Sequence, residues 1–394
     1  MSLQPWAPVS APSSCCSCGK PMSTRTDVVI VGGGPVGLAT AIAARHAGMK
    51  VMLADHAVPP IDKACGEGLM PDGLESLAAV GVTIPVENAF QFRGIRFREG
   101  ETSVDATFPR GVGYGVRRTV LHDLLTQRAE EAGVDLRWGT RVSAIADGRV
   151  TLNDEEVRCD WIIGADGQAS QVRERMQIGR TQTELRRYGF RQHFALTPWT
   201  DYVEVYWSDH GQVYVTPVAE DQVCVALITA DPHLRLSCLS TFFPELAEKL
   251  SGANASSREQ GAITLTRQLD TVCAGNIALV GEASGSVDAI TGEGMSLGFR
   301  QAVAVVEAMQ SGSLASYARA HIEIGKPARR MSMLMLSMGN RRWLRHRTLR
   351  ALSSRPELFA QMLSIHVGES KLRDFGLERA LTLGWRMLYT QGEA

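Results

Sequence analysis

The stretch Asp27-Val28-Val29-Ile30-Val31-Gly32-Gly33-Gly34-Pro35-Val36-Gly37-Leu38 decides how the rest of the chain is read. Val28, Val29, Ile30 and Val31 are consecutive β-branched residues, the mark of a short strand buried on both faces of a parallel sheet. The strand runs into Gly32-x-Gly34-x-x-Gly37, and the Ala-rich residues 38–46 favour helix. Gly48 closes that helix, and residues 50–55 read as a second strand ending in Asp55. Strand, three-glycine turn, helix, strand and acid make a complete dinucleotide-binding unit. Gly32 permits the tight turn, Gly34 lets the backbone approach a pyrophosphate, and Gly37 lets helix and strand touch. Pro35 stands in the same cradle, where the helix N-terminus offers free N–H groups and a partial positive charge. Asp55, with His56 beside it, is placed to accept hydrogen bonds from an adenosine ribose.

A chain of 394 residues suggests two domains and an appendage. A net charge of −1 gives no reason to expect nucleic acid, and the absence of a run of eighteen apolar residues argues against a transmembrane helix. Cys65, Cys159, Cys224, Cys238 and Cys273 are scattered singly, which suggests a reducing cytoplasm. Cys15, Cys16 and Cys18 lack a second pair to complete a tetrahedral zinc set, so no metal is expected. Residues 1–22, rich in Pro, Ser and Cys, read as a disordered extension with no role in the fold and no secretory pattern.

Residues 56–73 form a long loop holding Lys63, Cys65, Glu67 and six glycine or proline positions, a length that favours function. Residues 90–109 alternate like strands and lead to a second sheet, and Gly111-x-Gly113 reads as a flexible joint. Arg118 heads a helix over 120–132. Strands at 134–138, 141–145 (with Val142), 149–152 and 156–161 read as a small antiparallel hairpin set. The next strand ends in Ala165-Asp166-Gly167, a second candidate site loop. Period-two runs across 187–230 indicate an antiparallel sheet with one ligand-facing side. Arg191, His193, Tyr206, Trp207 and Tyr214 suit a pocket wall there, with sheet packing the other reading of the three aromatics. A buried strand then ends in Gly281-Glu282, followed by Gly292-Glu293-Gly294-Met295 and an apolar helix over 296–309. From Gly325 onward 13 Lys+Arg face 5 Asp+Glu in a helical, Met-rich region. Residues 325–350 read either as a helical cover over the pocket or as a peripheral contact with an anionic membrane.

In order, Gly32 to Gly37 with Asp55, Asp166-Gly167, and Gly281-Glu282 with Gly292-x-Gly294 resemble the FAD-dependent flavoprotein hydroxylase (aromatic monooxygenase) superfamily, over roughly residues 27–320. The loop Lys63-Ala64-Cys65-Gly66-Glu67-Gly68 looks most like its geranylgeranyl-reductase branch. The resemblance implies an α/β fold: a Rossmann-like FAD-binding domain, an antiparallel-sheet substrate domain and a helical C-terminal region. The expected division gives 23–89, 110–175 and 265–324 to FAD, 90–109 and 176–264 to substrate, and 325–394 to a basic helical end. It also implies that Gly32, Gly34 and Gly37 bind the pyrophosphate, Arg118 the ribose or phosphates, Glu282 the ribitol, and Gly292 to Met295 the isoalloxazine ring. Asp166 belongs to a motif associated with FAD and with the pyridine nucleotide. Two departures stand out: Glu282 where the family has Asp, and Ala289 where it has proline.

The expected activity is that of an NAD(P)H-dependent monooxygenase hydroxylating an aromatic or phenolic secondary metabolite through a flavin C4a-hydroperoxide. Molecular oxygen is its co-substrate, NADPH or NADH its transient reductant, and Arg191 or His193 orients a phenolate. The alternative is a flavin-dependent reductase of C=C bonds in an isoprenoid or lipid, with Cys65 as proton donor. A halogenase is a lesser alternative, since its Trp-x-Trp-x-Ile-Pro signature is absent. A flavin-binding module without turnover is a third class. The expected location is cytoplasmic, with membrane association through 325–350 as the alternative to the helical cover.

Overall fold

The computed structural model describes residues 24–371 and 373–376. The extension at 1–22, with Cys15, Cys16 and Cys18, lies outside them, as do residues 377–394.

Val28–Val31 is the central strand of a six-stranded sheet ordered Cys273–Ala274, Ile277–Leu279, Trp161–Gly164, Val28–Val31, Val51–Asp55, Asp135–Trp138. All neighbours are parallel except the edge pair Cys273–Ala274 with Ile277–Leu279. The pleat explains the unbroken apolar run. Val28 and Ile30 face one core, with Leu38, Leu53 and Phe299. Val29 and Val31 face the other, with Met52, Ile162 and Leu279. Each such buried side chain contributes about 1.5–3 kcal/mol. Helices Pro35–His46, Arg118–Glu131 and Gly294–Gln310 cover the first face.

The hairpin set expected over 134–161 is smaller than read. Only Val142–Ala146, Arg149–Leu152 and Glu155–Arg158 are antiparallel neighbours. Asp135–Trp138 pairs in parallel with Val51–Asp55, because helix Arg118–Glu131 returns the chain to the same end of the sheet. Gly111-x-Gly113 is also no flexible joint. Gly113–Gly115 is a strand between Gly68–Leu69 and Phe90–Phe92. A Cβ on Gly113 would lie 2.3 Å from the Phe92 ring, so close packing demands the glycine there.

The second sheet has eight strands, with Thr181–Ala195, Gln222–Thr229, Gly211–Ala219, Tyr202–Ser208, Gly94–Glu99 and Thr102–Thr107 side by side. It is antiparallel except between Tyr202–Ser208 and Gly94–Glu99. Gln260–Leu269, which the sequence pattern did not reveal, pairs along Thr181–Ala195. Its alternation is confined to Ile263-Thr264-Leu265-Thr266, and no residue of the strand is buried, so no core-facing stripe marks it.

Helix Ala315–Gly339 runs unbroken through Gly325 and holds Pro327 inside it, so composition changes there without a backbone break. Arg342–Ser354 and Pro356–His366 follow, and Met335, Met338, Leu352 and Phe359 pack with Phe97 and Trp207 of the second sheet. Arg345 locks this union: it is buried and donates to Glu99 Oε1 at 2.6 Å and Asp209 Oδ1 at 2.5 Å. Part of the basic character of this region is thus internal. Among the described residues no helix is long and apolar enough to cross a membrane.

Candidate functional site

Parallel pairing brings the three motifs to one sheet edge. Val31 is in register with Ala54 and Gly164, and Gly164 with Leu279, so Gly32, Asp55, Ala165-Asp166 and Gly281 follow adjacent carboxyl ends. Val28–Val31 is the switch point of the sheet order, where open α/β sheets bind their ligands. Gly32 has φ +111°, and a Cβ on it would lie 2.4 Å from the Ala165 carbonyl oxygen. The first glycine therefore serves the approach of the second motif as well as its own turn.

Gly33 N–H donates to Asp55 Oδ2 at 2.7 Å, and Ala57 N–H to Oδ1 at 2.8 Å. His56 is exposed, with Nδ1 3.2 Å from Asp55 Oδ1. Gly34 has extended backbone (φ −71°, ψ 174°), and a Cβ there meets nothing within 4 Å. Pro35 is the first helical residue. Asp166 Oδ2 accepts from Gln171 N–H at 2.7 Å and Val172 N–H at 3.1 Å, while its buried Oδ1 has no partner. The Arg118 Nε is likewise buried without a partner, at the head of its helix. Glu282 accepts from Gln168 Nε2 at 3.3 Å, and Gly281 N–H donates to Gln301 Oε1 at 2.7 Å. Gly292 (φ +71°) and Gly294 have open space where a Cβ would be.

Gly32, Gly34, Pro35, Asp55, His56, Arg118, Asp166, Gly281, Glu282, Gly292 and Gly294, with Val142 and Met295, line one cavity of about 2100 Å³, while Gly33 and Gly37 stay out of its wall. It runs on past Cys65 and Arg191 to Val203, Val205, Met335 and Met338. Orphaned polar atoms, an open glycine path and a helix N-terminus fit a flavin dinucleotide, which the glycine turn, Asp55, Arg118, Asp166, Glu282 and Gly292–Met295 would hold.

The expected catalytic trio is arranged differently from the reading as pocket side chains. His193 does not line the cavity. It stands behind Glu67, fully buried, with Nε2 donating to Glu67 Oε2 at 2.6 Å. Arg191 Nη1 lies 3.1 Å from His193 Nδ1, and a guanidinium only donates, so Nδ1 accepts and Nε2 carries the proton toward Glu67. Arg191 reaches the cavity wall, but its Nη2 already donates to Asp62 at 2.6 Å and Gln260 at 3.0 Å. A strand's alternation puts residues 191 and 193 on one face; it is the partners from the 56–73 loop that claim them. Tyr206 and Trp207 are buried in sheet packing, whereas Tyr214 lines the cavity and donates to the Ile290 carbonyl at 2.6 Å.

Glu67 is the residue that sequence reasoning passed over. It is buried, has φ +59° and accepts from Arg118 N–H at 2.9 Å, so it ties the Cys65 loop to the Arg118 helix and the second sheet. Its place between two glycines, Gly66 and Gly68, was the available signal. Glu67, His193 and Cys224 bring donor atoms within 4.8 Å, a set a metal would accept, but the direct Glu67–His193 bond takes the line an ion would occupy. Asp288 was also missed. It accepts from Arg187 Nη1 at 2.9 Å and anchors the 289–292 turn to the second sheet. His366, near Thr291 and Glu293, clamps that turn from the C-terminal helices.

Glu67 N–H donates to Cys65 Sγ at 3.4 Å. Burial pushes the Cys65 thiol above its ordinary range, with Arg118 pulling less strongly the other way. At neutral pH the thiol holds its proton, so Cys65 is suited to donate one and poorly suited to attack. Iodoacetamide labelling followed by mass spectrometry should modify Cys65 more slowly at pH 7–8 than a free model thiol. Its rate should climb only above the ordinary thiol pKa of about 8.5.

The family described as FAD binding domain matches this chain over residues 25–312. A menaquinone reductase of Mycolicibacterium smegmatis is 30% identical over 329 residues, covering 76% of this chain and 80% of that protein. Among solved structures, a flavoprotein/dehydrogenase from Cytophaga hutchinsonii superposes with a TM-score of 0.77 at 16% identity, over 92% of this chain and 99% of that one. PqsL of P. aeruginosa, in complex with 2-aminobenzoylacetate, gives 0.67 at 21% identity, over 86% and 100%. These two structural likenesses speak to the fold alone. With most of the length matched and a cradle that fits the cofactor, the chain belongs to the FAD-binding-domain family, that of the FAD-dependent aromatic hydroxylases and their relatives, and is an FAD-dependent oxidoreductase.

Proposed function

We propose that this enzyme is an NAD(P)H-dependent monooxygenase that hydroxylates an aromatic or phenolic small molecule of secondary metabolism. The observation that carries the reading is the single cavity joining the dinucleotide cradle to a chamber walled by Val203, Val205, Met335 and Met338. FAD, when bound, supplies hydride acceptance from NADPH or NADH and the activation of molecular oxygen. The apolar chamber holds the aromatic ring and excludes water. Arg191, held at the wall by Asp62 and Gln260, is the cation that would orient a phenolate, its charge shared with the Asp62 carboxylate. Among the described residues one strand–glycine turn–helix unit is complete, so the nicotinamide binds transiently. Peripheral contact of 325–350 with a membrane belongs to the same reading.

The experiment is anaerobic reduction by NADPH or NADH, followed by isotopically labelled oxygen and a short water-soluble phenol. A labelled oxygen atom in the aromatic product is expected. A saturated product formed without oxygen uptake overturns the reading.

That outcome favours a second one, which a specific observation supports: the protonated Cys65 thiol on the cavity wall, in a chain 30% identical to a menaquinone reductase. There the enzyme reduces a C=C bond of an isoprenoid or lipid, as in the geranylgeranyl-reductase branch. A hydride reaches one carbon, and Cys65 supplies the proton to the other.

A further inference from the structure

Eight large apolar side chains are exposed among the described residues, and five of them edge the same cavity: Leu185, Ile263, Ile322, Met333 and Leu334. Random scatter of apolar residues on a surface is normal, but their convergence on one opening marks a contact surface. Two elements supply the rim. Leu185 and Ile263 come from the paired strands Thr181–Ala195 and Gln260–Leu269, and the other three from helix Ala315–Gly339.

On that helix Ile322, Lys326, Arg329 and Met333 share a face, being spaced four, seven and eleven residues apart. Ile322 is 51% exposed and Met333 62%. Lys326, Arg329 and Arg330 line the same opening. Lys326 pairs with Glu323 at 2.5 Å and Arg329 donates to the Ile322 carbonyl at 2.8 Å, whereas Arg330 is exposed with no acidic partner among the described residues. On the next helix Trp343, 59% exposed, shares a face with Arg347 and Arg350, and the Arg347 guanidinium lies 6.0 Å from its ring. Apolar groups beside cations at one opening are the chemistry of an interface with anionic lipid.

We propose that the cavity mouth docks on an anionic bilayer, so that the substrate passes from lipid into the cavity without crossing water. The substrate is then an amphiphile. Its reacting head reaches the Cys65 loop, and its alkyl chain lies against the Met335 and Met338 wall and the rim. This rests on the reading of the cavity as the substrate site and narrows the class of molecule it takes. The rim also takes Ile322 from before residue 325 and Leu185 and Ile263 from the second sheet, so the contact is wider than the basic Met-rich segment alone.

The test is co-sedimentation of the full FAD-loaded chain with vesicles of phosphatidylcholine, with and without phosphatidylglycerol. Comparison is with Ile322→Ser/Met333→Ser and with Arg330→Glu, and FAD content confirms that each variant is folded. Wild type should sediment with the phosphatidylglycerol vesicles, and less so as salt rises. The double variant should bind at least about tenfold more weakly, and Arg330→Glu should lose much of the salt-sensitive part. No sedimentation with phosphatidylglycerol vesicles overturns the proposal, as does equal binding of the double variant. It is also overturned if the double variant changes only the oligomeric state in light scattering, which would assign the rim to a second copy. The vesicle result does not depend on turnover, and the soluble-phenol assay does not depend on vesicles, so either reading can fail alone.

Discussion

Gly34→Ala should yield a protein that folds as well as wild type and holds little FAD. The backbone at Gly34 is extended, a conformation any residue adopts, and the added Cβ meets no protein atom within 4 Å. Replacing glycine there removes freedom from the unfolded chain, which stabilises by about 0.4–1 kcal/mol. The same Cβ would stand in open space on the cavity wall at the helix N-terminus, where a bound pyrophosphate would lie. Crowding there costs about 1–3 kcal/mol of binding, roughly 10–100-fold in Kd. Gly37→Ala makes the contrast. Its Cβ would lie 1.9 Å from the Gly32 carbonyl oxygen and 3.2 Å from Ala165 Cβ, so fold and cofactor suffer together. Thermal melting of the apoproteins and fluorescence titration with FAD separate the two effects. A Gly34→Ala protein that binds FAD as wild type does would remove the glycine turn from the cofactor site.

Glu67→Ala should be the most destabilising single change in the Cys65 loop, by about 3–5 kcal/mol in denaturant unfolding. It leaves the buried His193 Nε2–H and the Arg118 N–H without their acceptor, beside an Arg191 whose other partners remain. Glu67→Gln keeps the shape and one acceptor, and should cost only about 1–3 kcal/mol. Glu67→Gly loses the carboxylate but suits φ +59°, which costs a non-glycine residue roughly 1–2 kcal/mol. It should therefore be less damaging than alanine by about that amount. If alanine unfolds at the wild-type midpoint, the Glu67–His193 pair does not hold the loop.

The legibility of the fold varied with the kind of residue concerned. Val28–Val31 and Trp161–Gly164 were readable because strands buried on both faces must be apolar throughout. Gln260–Leu269 was hidden because none of its residues is buried and its alternation spans only residues 263–266. The pairing of Asp135–Trp138 with Val51–Asp55 was misread because a strand's direction depends on what precedes it, here a helix. Among residues of the cavity wall, Gly32, Gly34 and Asp55 carried a local pattern, since a backbone that must approach phosphate accepts few alternatives. Glu67, Asp288 and His366 did not. Each is a common residue whose role comes from partners at distances in sequence that no local pattern spans: Glu67 with His193, Asp288 with Arg187, His366 with Glu293.

By itself the sequence determined that a dinucleotide lies across a helix N-terminus at a sheet's carboxyl edge. That follows from local constraints of spacing and backbone conformation. The flavin came from the resemblance of three motifs, in one order along the chain, to the flavoprotein hydroxylase superfamily. Only the tertiary structure decided that His193 supports Glu67 from behind the cavity wall and that the basic Met-rich helix closes the chamber. It alone brought Leu185, Ile263, Ile322 and Met333 to one mouth. These depend on which faces of distant segments meet, and that is settled by packing across the whole molecule, where many sequences present the same local pattern.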